Sequence, residues 1–133
     1  MAVTQYDAKD TSIIVDSTYI TGLGEDMITG EKDEDFFTAS AGAQGDVVTS
    51  EINNPIGTVT IYVQVTSPQK AFLLSLAKRK EPFPVWAVNK KLGERFGGTK
   101  ARMLKWPEMA RGAEAEDMEF VFQVFDYDVE ATA

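Results

Sequence analysis

The chain has 133 residues, 44% of them apolar, and a formal net charge of −8, which suits one domain with one buried core. It contains no cysteine and no histidine. Disulfide scaffolds, thiolate zinc sites, cysteine nucleophiles and any Ser-His-Asp or Cys-His arrangement are thereby excluded, and the commonest general base and transition-metal ligand are missing.

The start, Met1 to Asp10, carries Asp7 and Asp10 in place of a basic and then apolar signal sequence, so export by a general secretory route is not expected. No apolar run approaches the ~20 residues of a membrane helix, and no membrane insertion is expected. Ser12 to Asp16 reads as a short β-branched strand, and Thr18 to Thr21 as its continuation or partner. Gly22 and Gly24 break the pattern. Met27-Ile28 and Phe36-Phe37-Thr38 read as the arms of a second strand region, around the charged stretch Glu31 to Asp35. Residues 39–46 are all small or turn-forming and read as a flexible loop. Val47 to Ser50 resumes extended structure, and Asn53 to Gly57 signals a turn.

From Thr58 to Thr66, Val59, Ile61, Val63 and Val65 alternate with polar residues and Tyr62. Period two with one apolar face is a half-buried strand. Ser67-Pro68 opens the one predicted helix, over about residues 68–80. Serine can cap the first amides, and proline is preorganised for the first turn. Phe72, Leu73, Leu76 and Ala77 fall on one side, Lys78, Arg79 and Lys80 complement the dipole, and Pro82 stops the element. A helix this short depends on packing against a sheet. Val85 to Val88 and Ala101 to Trp106 read as strands around a loop with Gly93, Gly97 and Gly98. Met118 to Val129 reads as one long last strand, apolar on both faces, either central or covered by a neighbouring subunit. The tally is about six to eight strands and one helix. That predicts a mainly β fold, an antiparallel sandwich or barrel with one flanking helix.

Charge is distributed in three blocks. Residues 1–66 hold 2 basic and 11 acidic side chains, residues 67–111 hold 11 basic and 3 acidic, and residues 112–133 hold 7 acidic and none basic. Either the blocks interleave and neutralise one another within the fold, or unlike faces meet between copies and set register.

No constellation supports catalysis. Asp33-Glu34-Asp35 fails as a calcium loop, because positions six and twelve hold Thr38 and Gln44 instead of glycine and glutamate. Gly22-Leu23-Gly24 and Gly93 to Gly98 lack the residues of a phosphate loop. Lys90, Lys91, Arg95, Lys100, Arg102 and Lys105, with Trp86, Phe96 and Trp106 nearby, could bind single-stranded nucleic acid, or form a salt-bridge face within the chain or against an acidic neighbour. An acidic body repels phosphate, which disfavours the first. At strand spacing Lys100, Arg102, Leu104 and Trp106 share one face, and Ala101 and Met103 the other. The carboxylates from Glu114 to Glu119 and from Asp126 to Glu130 read as solvated charge and not as a paired-acid site. Neither a cofactor nor a metal is expected.

Five segments, Tyr6–Asp10, Gly30–Phe37, Gly45–Ser50, Asn53–Thr60 and Pro84–Trp86, resemble small structural proteins of contractile phage tails. The overall pattern is similar to the inner tail-tube protein family over roughly residues 6 to 129. The resemblance implies a non-enzymatic subunit of stacked sixfold rings, a single β domain over 1–133 with a flanking helix and an extended loop or hairpin around 38–55. It implies partners that include further copies of itself and tail sheath, tape-measure and baseplate proteins, with transient, non-specific DNA passage through the lumen. It places the protein in a virion tail tube, after synthesis in the bacterial host cytoplasm. Subunit contacts are expected at Phe36, Phe37, Ala41, Gly42, Gly45, Val47, Lys90, Arg95, Arg102, Phe125 and Tyr127. Competing readings are another tail-assembly part such as a tube initiator, an effector-injection tube subunit, a stand-alone β-sandwich binding module and, last, a carboxylate-based enzyme.

Overall fold

A computed structural model describes residues 3–132. Met1, Ala2 and Ala133, which the expected domain span and leader reading include, lie outside the described residues. Ten strands and one helix follow in the order β1 (Thr11–Val15), β2 (Thr18–Tyr19), β3 (Leu23–Lys32), β4 (Phe37–Ala41), β5 (Val47–Glu51), β6 (Gly57–Val63), α1 (Lys70–Leu76), β7 (Phe83–Asn89), β8 (Glu94–Met103), β9 (Met118–Val124) and β10 (Asp128–Ala131). Eight strands form one antiparallel sheet in the order β2-β1-β7-β8-β9-β6-β3, with β10 added to β8. Strands β4 and β5 pair only with each other.

Alternation builds the core. Val59, Ile61 and Val63 of β6 are fully buried, while Thr58, Thr60 and Tyr62 between them are half-buried. Phe83, Val85 and Ala87 of β7 point inward in the same way, as do Met118, Phe120, Phe122 and Val124 of β9. All of these inward-pointing residues except Ala87 meet Ile13 and Val15 of β1, Ala101 and Met103 of β8, and Leu73 and Leu76 of α1 in one cluster. The Phe83 and Phe122 rings meet edge to face, 5.9 Å apart, the arrangement their quadrupoles favour. Each buried ring contributes about 1.5–3 kcal/mol by leaving water. The sheet curls far enough that a Cβ on Gly30 of β3 would lie 2.8 Å from the Phe96 ring of β8.

The β8 strand changes partner along its length. Glu94 to Gly97 pair with β10, and Ala101 to Met103 pair with β9. Gly97 sits at φ +134°, and a Cβ there would meet the Val85 carbonyl oxygen at 2.0 Å, so only glycine fits the bend. Asp126 holds the far side of this corner. Its carboxylate accepts from the Thr99 amide at 3.1 Å, the Lys100 amide at 3.0 Å and the Thr99 hydroxyl.

The fold class agrees with the sequence reading, and several boundaries do not. The described residues form ten strands, not six to eight. The helix spans Lys70–Leu76 rather than 68–80. The Ser67 hydroxyl donates to the Thr21 carbonyl at 2.6 Å and accepts from the Gln69 amide at 3.3 Å just ahead of the helix, while Lys78, Arg79 and Lys80 follow the helix instead of closing it. The expected last strand divides at Phe125–Tyr127 into β9 and β10, because the corner at Asp126 turns the chain onto β8. Gly97 and Gly98 belong to β8 and not to a loop. Gly24 lies within β3, and Glu31 and Lys32 end that strand.

Candidate assembly surface

The hairpin of β4 and β5 stands away from the body. Every residue of both strands is exposed. The register pairs Phe37 with Glu51, Thr38 with Ser50, Ala39 with Thr49, Ser40 with Val48 and Ala41 with Val47. Residues 39–46 are therefore not a structureless loop. Ala39 to Ala41 form strand, and the turn is closed by the Gly42 amide on the Asp46 carbonyl at 2.8 Å. Gly45, at φ +91°, takes the left-handed position that this turn requires. The small residues follow from the same fact, since nothing packs on either face.

A polar clamp fixes the root of the hairpin. The Lys32 ammonium donates to the Glu34 and Asn54 carbonyls, both at 2.9 Å, and lies 5.1 Å from the Phe36 ring centre. The Asn54 amide donates to the Glu34 carboxylate at 2.9 Å, and the Thr58 hydroxyl donates to Asp33 at 2.7 Å. The Ile52 amide reaches the Phe36 carbonyl at 2.9 Å, extending the ladder to the root. The arm is held in direction at its base while Phe36, Phe37, Val47 and Val48 stay 52–72% exposed along it. An isolated two-stranded hairpin is marginal in water, so such an arm gains from a second surface.

Of the residues expected at subunit contacts, Phe36, Phe37, Ala41, Gly42, Gly45 and Val47 gather on this arm. The other five lie elsewhere. Lys90 is exposed in the β7–β8 turn. Arg95 is engaged within its own chain: its guanidinium donates to Glu130 at 2.8 Å and stacks 4.6 Å over the Trp86 ring. Hydrogen bonding to Glu130 raises the Arg95 pKa, and the same contact lowers that of Glu130. Tyr127 is half-buried and lies where a Cβ on Gly57 or Gly30 would sit, at 2.4 and 2.7 Å. Burial, and then the charge of Glu31, raise the pKa of its phenol. Phe125 is half-buried in the corner, its amide on the Lys100 carbonyl at 2.8 Å. Arg102 points outward from β8, and its Nε is buried with no hydrogen-bond acceptor among the described residues.

The charge blocks do interleave. Arg79–Asp16, Lys91–Asp10 and Arg95–Glu130 each join the basic middle block to an acidic flank. Sequence inspection missed the Lys32–Asn54 clamp, which joins residues 22 apart. It also left Val48, Leu104, Trp106 and Met109, all more than half exposed, off the surface list. The Lys100–Trp106 alternation was the available signal for two of them. Among the described residues no group of His, Cys, Asp or Glu is arranged to hold a metal ion, and no helix is long and apolar enough to cross a membrane.

Comparison with known proteins gives one family and one fold. The family model described as bacteriophage PhiTE tail tube protein matches residues 11–130. A solved sheath/tube terminator of an extracellular contractile injection system, PVC in its extended state, superposes with a TM-score of 0.67 at 10% identity, covering 98% of this chain and 100% of that one. The tube-terminating cap of the anti-feeding prophage superposes at 0.66 and 8% identity, over 99% and 96% of the two chains. The extended PVC sheath–tube complex gives 0.66 and 9%, over 96% and 93%. At such identities these three show the shared fold. No curated protein sequence matches the chain.

Proposed function

This chain belongs to the family of the bacteriophage PhiTE tail tube protein, a structural family and not an enzyme family, and on that premise we propose that it is the repeating subunit of a phage-type tail tube. Copies assemble into stacked hexameric rings, and the rings form a conduit for DNA or effector passage. The chain acts as a single tail-tube-like β domain over 1–133, from which the β4–β5 arm reaches a neighbouring copy.

The observation that carries this reading is the arm: ordered, clamped at its root and exposed along its whole length. Its apolar side chains have no use in a monomer and a direct one in an assembly, where they supply contact area. Phe36, Phe37, Ala41, Gly42, Gly45 and Val47 are its contact residues. Lys90, Arg102, Phe125 and Tyr127 border contacts from the body, and Arg95 holds β10 in place beside them. Partners are further copies of the chain along the tube and around the ring, then sheath, tape-measure and baseplate proteins, with DNA passing transiently and without specific contacts. An acidic chain suits that passage, because a wall of like charge does not retain phosphate. The subunit is made in the host cytoplasm and ends in the tail tube of a phage or phage-like particle.

A second reading is favoured by the two neighbours described as a terminator and a tube-terminating cap: a ring that ends a tube. A terminator forms rings and adds to tube ends without extending them, which separates the two by microscopy. The test of the arm is deletion of Ala41 to Gly45. The shortened protein should keep its fold by circular dichroism and form no tubes. Tubes of normal length from that variant would refute the role given to the arm.

A further inference from the structure

The surface that receives the arm can be read from the same chain. Strand β8 and the residues after it present Lys100, Arg102, Leu104 and Trp106 outward, while Ala101 and Met103 face the core. Leu104 and Trp106 are 56% and 51% exposed. The Trp106 indole is not loose: its N–H donates to the Leu74 carbonyl at 3.0 Å, and the Lys78 ammonium lies 5.5 Å from its ring centre. From Arg95 to Pro107 there are four cations and no carboxylate. Among the described residues, Lys100, Arg102 and Lys105 enter no ion pair. Arg102 is half-buried, and its guanidinium forms no ion pair and its Nε no hydrogen bond among the described residues, which leaves its outer N–H groups free to meet a carboxylate. Of the nearby acids, Asp126 is occupied by the Thr99 and Lys100 amides, and Glu108, Glu116, Asp117 and Glu119 line a cleft that begins at Lys105 and Trp106, at the end of the stripe, and form no ion pair with it.

The arm carries the opposite pattern. Between Asp33 and Glu51 there are five carboxylates and no cation, interleaved with exposed Phe36, Phe37, Val47 and Val48. Both surfaces are narrow, both mix apolar side chains with charge of one sign, and the signs are opposite. Within one chain neither is covered.

We propose that the β4–β5 arm of one copy docks on the Lys100–Trp106 stripe of a second copy, with Leu104 and Trp106 receiving its apolar side chains and an arm carboxylate accepting from Arg102. Opposite charge then sets the register and direction of addition, and apolar contact supplies affinity. This docking rests on the self-assembly reading above and adds the acceptor site to it.

The test is a charge exchange on exposed residues. Lys100→Glu with Lys105→Glu reverses the stripe, and Asp35→Lys with Asp46→Lys, both outside the root clamp, reverses the arm. Pelleting of assembled protein should fall more than about ten-fold for either reversed protein alone, and return to within about two-fold of the parent when the two reversed proteins are mixed. Circular dichroism verifies that each remains folded. A parent that pellets while both reversed proteins pellet equally well overturns the docking and leaves the tube reading intact. Reversed proteins that fail alone and are not rescued by mixing overturn it too. A parent that never assembles, with or without salt, overturns the tube reading and the docking with it. The cationic, aromatic stripe also has the chemistry to hold single-stranded nucleic acid; an oligothymidine bound by the parent and released by the stripe reversal, with assembly unchanged, would assign it there instead.

Discussion

Replacing Asp126 by Asn tests whether the corner between β9 and β10 is held by charge. The carboxylate accepts three hydrogen bonds, from the Thr99 amide, the Lys100 amide and the Thr99 hydroxyl. Burial pushes its pKa up, but these bonds outweigh burial and hold it below the usual carboxylate range. Bonds to a charged acceptor contribute about 1.5–3 kcal/mol each when sheltered. The site is exposed and water competes, so a total loss of about 1–3 kcal/mol is expected. With an unfolding entropy of about 2.1 cal/mol/K per residue, 133 residues convert this to a fall in Tm of about 4–11 °C. The folded pKa is depressed, so the stabilisation is full above the unfolded value of about 3.9 and is lost as pH falls through the folded value. Thermal unfolding by circular dichroism, at concentrations where both proteins are monomeric, should show the gap between parent and Asp126→Asn at pH 7 and its closure in acid. Equal Tm values at pH 7, or a gap that does not narrow as pH falls below the unfolded value of about 3.9, would refute the account of this corner.

Two further substitutions probe the body of the fold. Phe122→Ala removes a fully buried ring that meets Phe83 edge to face and should cost about 3–5 kcal/mol, measured by urea unfolding with an unchanged m-value. Gly97→Ala places a Cβ against the Val85 carbonyl at φ +134° and should cost at least about 2 kcal/mol, with the loss of amide-exchange protection concentrated in β7 and β8; wild-type protection there would contradict the bend.

Much of the fold was legible because its strands alternate strictly. Val59, Ile61 and Val63 read as one inward face from spacing alone, and all are buried; Met118 to Val129 read as apolar on both faces, of which Met118, Phe120, Phe122 and Val124 form the buried one. Non-local pairing was not legible. Nothing in Met118 to Val129 announces that Asp126 would bond Thr99, 27 residues away, and so divide the run into two strands. Ser67 accepts from the Gln69 amide as the sequence suggested, but its second bond, to the Thr21 carbonyl 46 residues earlier, was not legible. The arm was half legible. Its glycines and alanines marked a segment without a core, which is true, but strand pairing between small residues carries no apolar signal. Arg95 illustrates the limit of reading charge from sequence: its partner Glu130 lies 35 residues on, so an apparent surface cation belongs to the chain's own packing.

The central claim, that this chain is a self-assembling tube subunit, is tested most directly by negative-stain electron microscopy of the purified protein over a concentration series at low and high salt. The account predicts hollow tubes or sixfold rings of uniform width, favoured by concentration and weakened in high salt, where charge-guided contacts are screened. Monomers at every concentration and at both salt levels would contradict it.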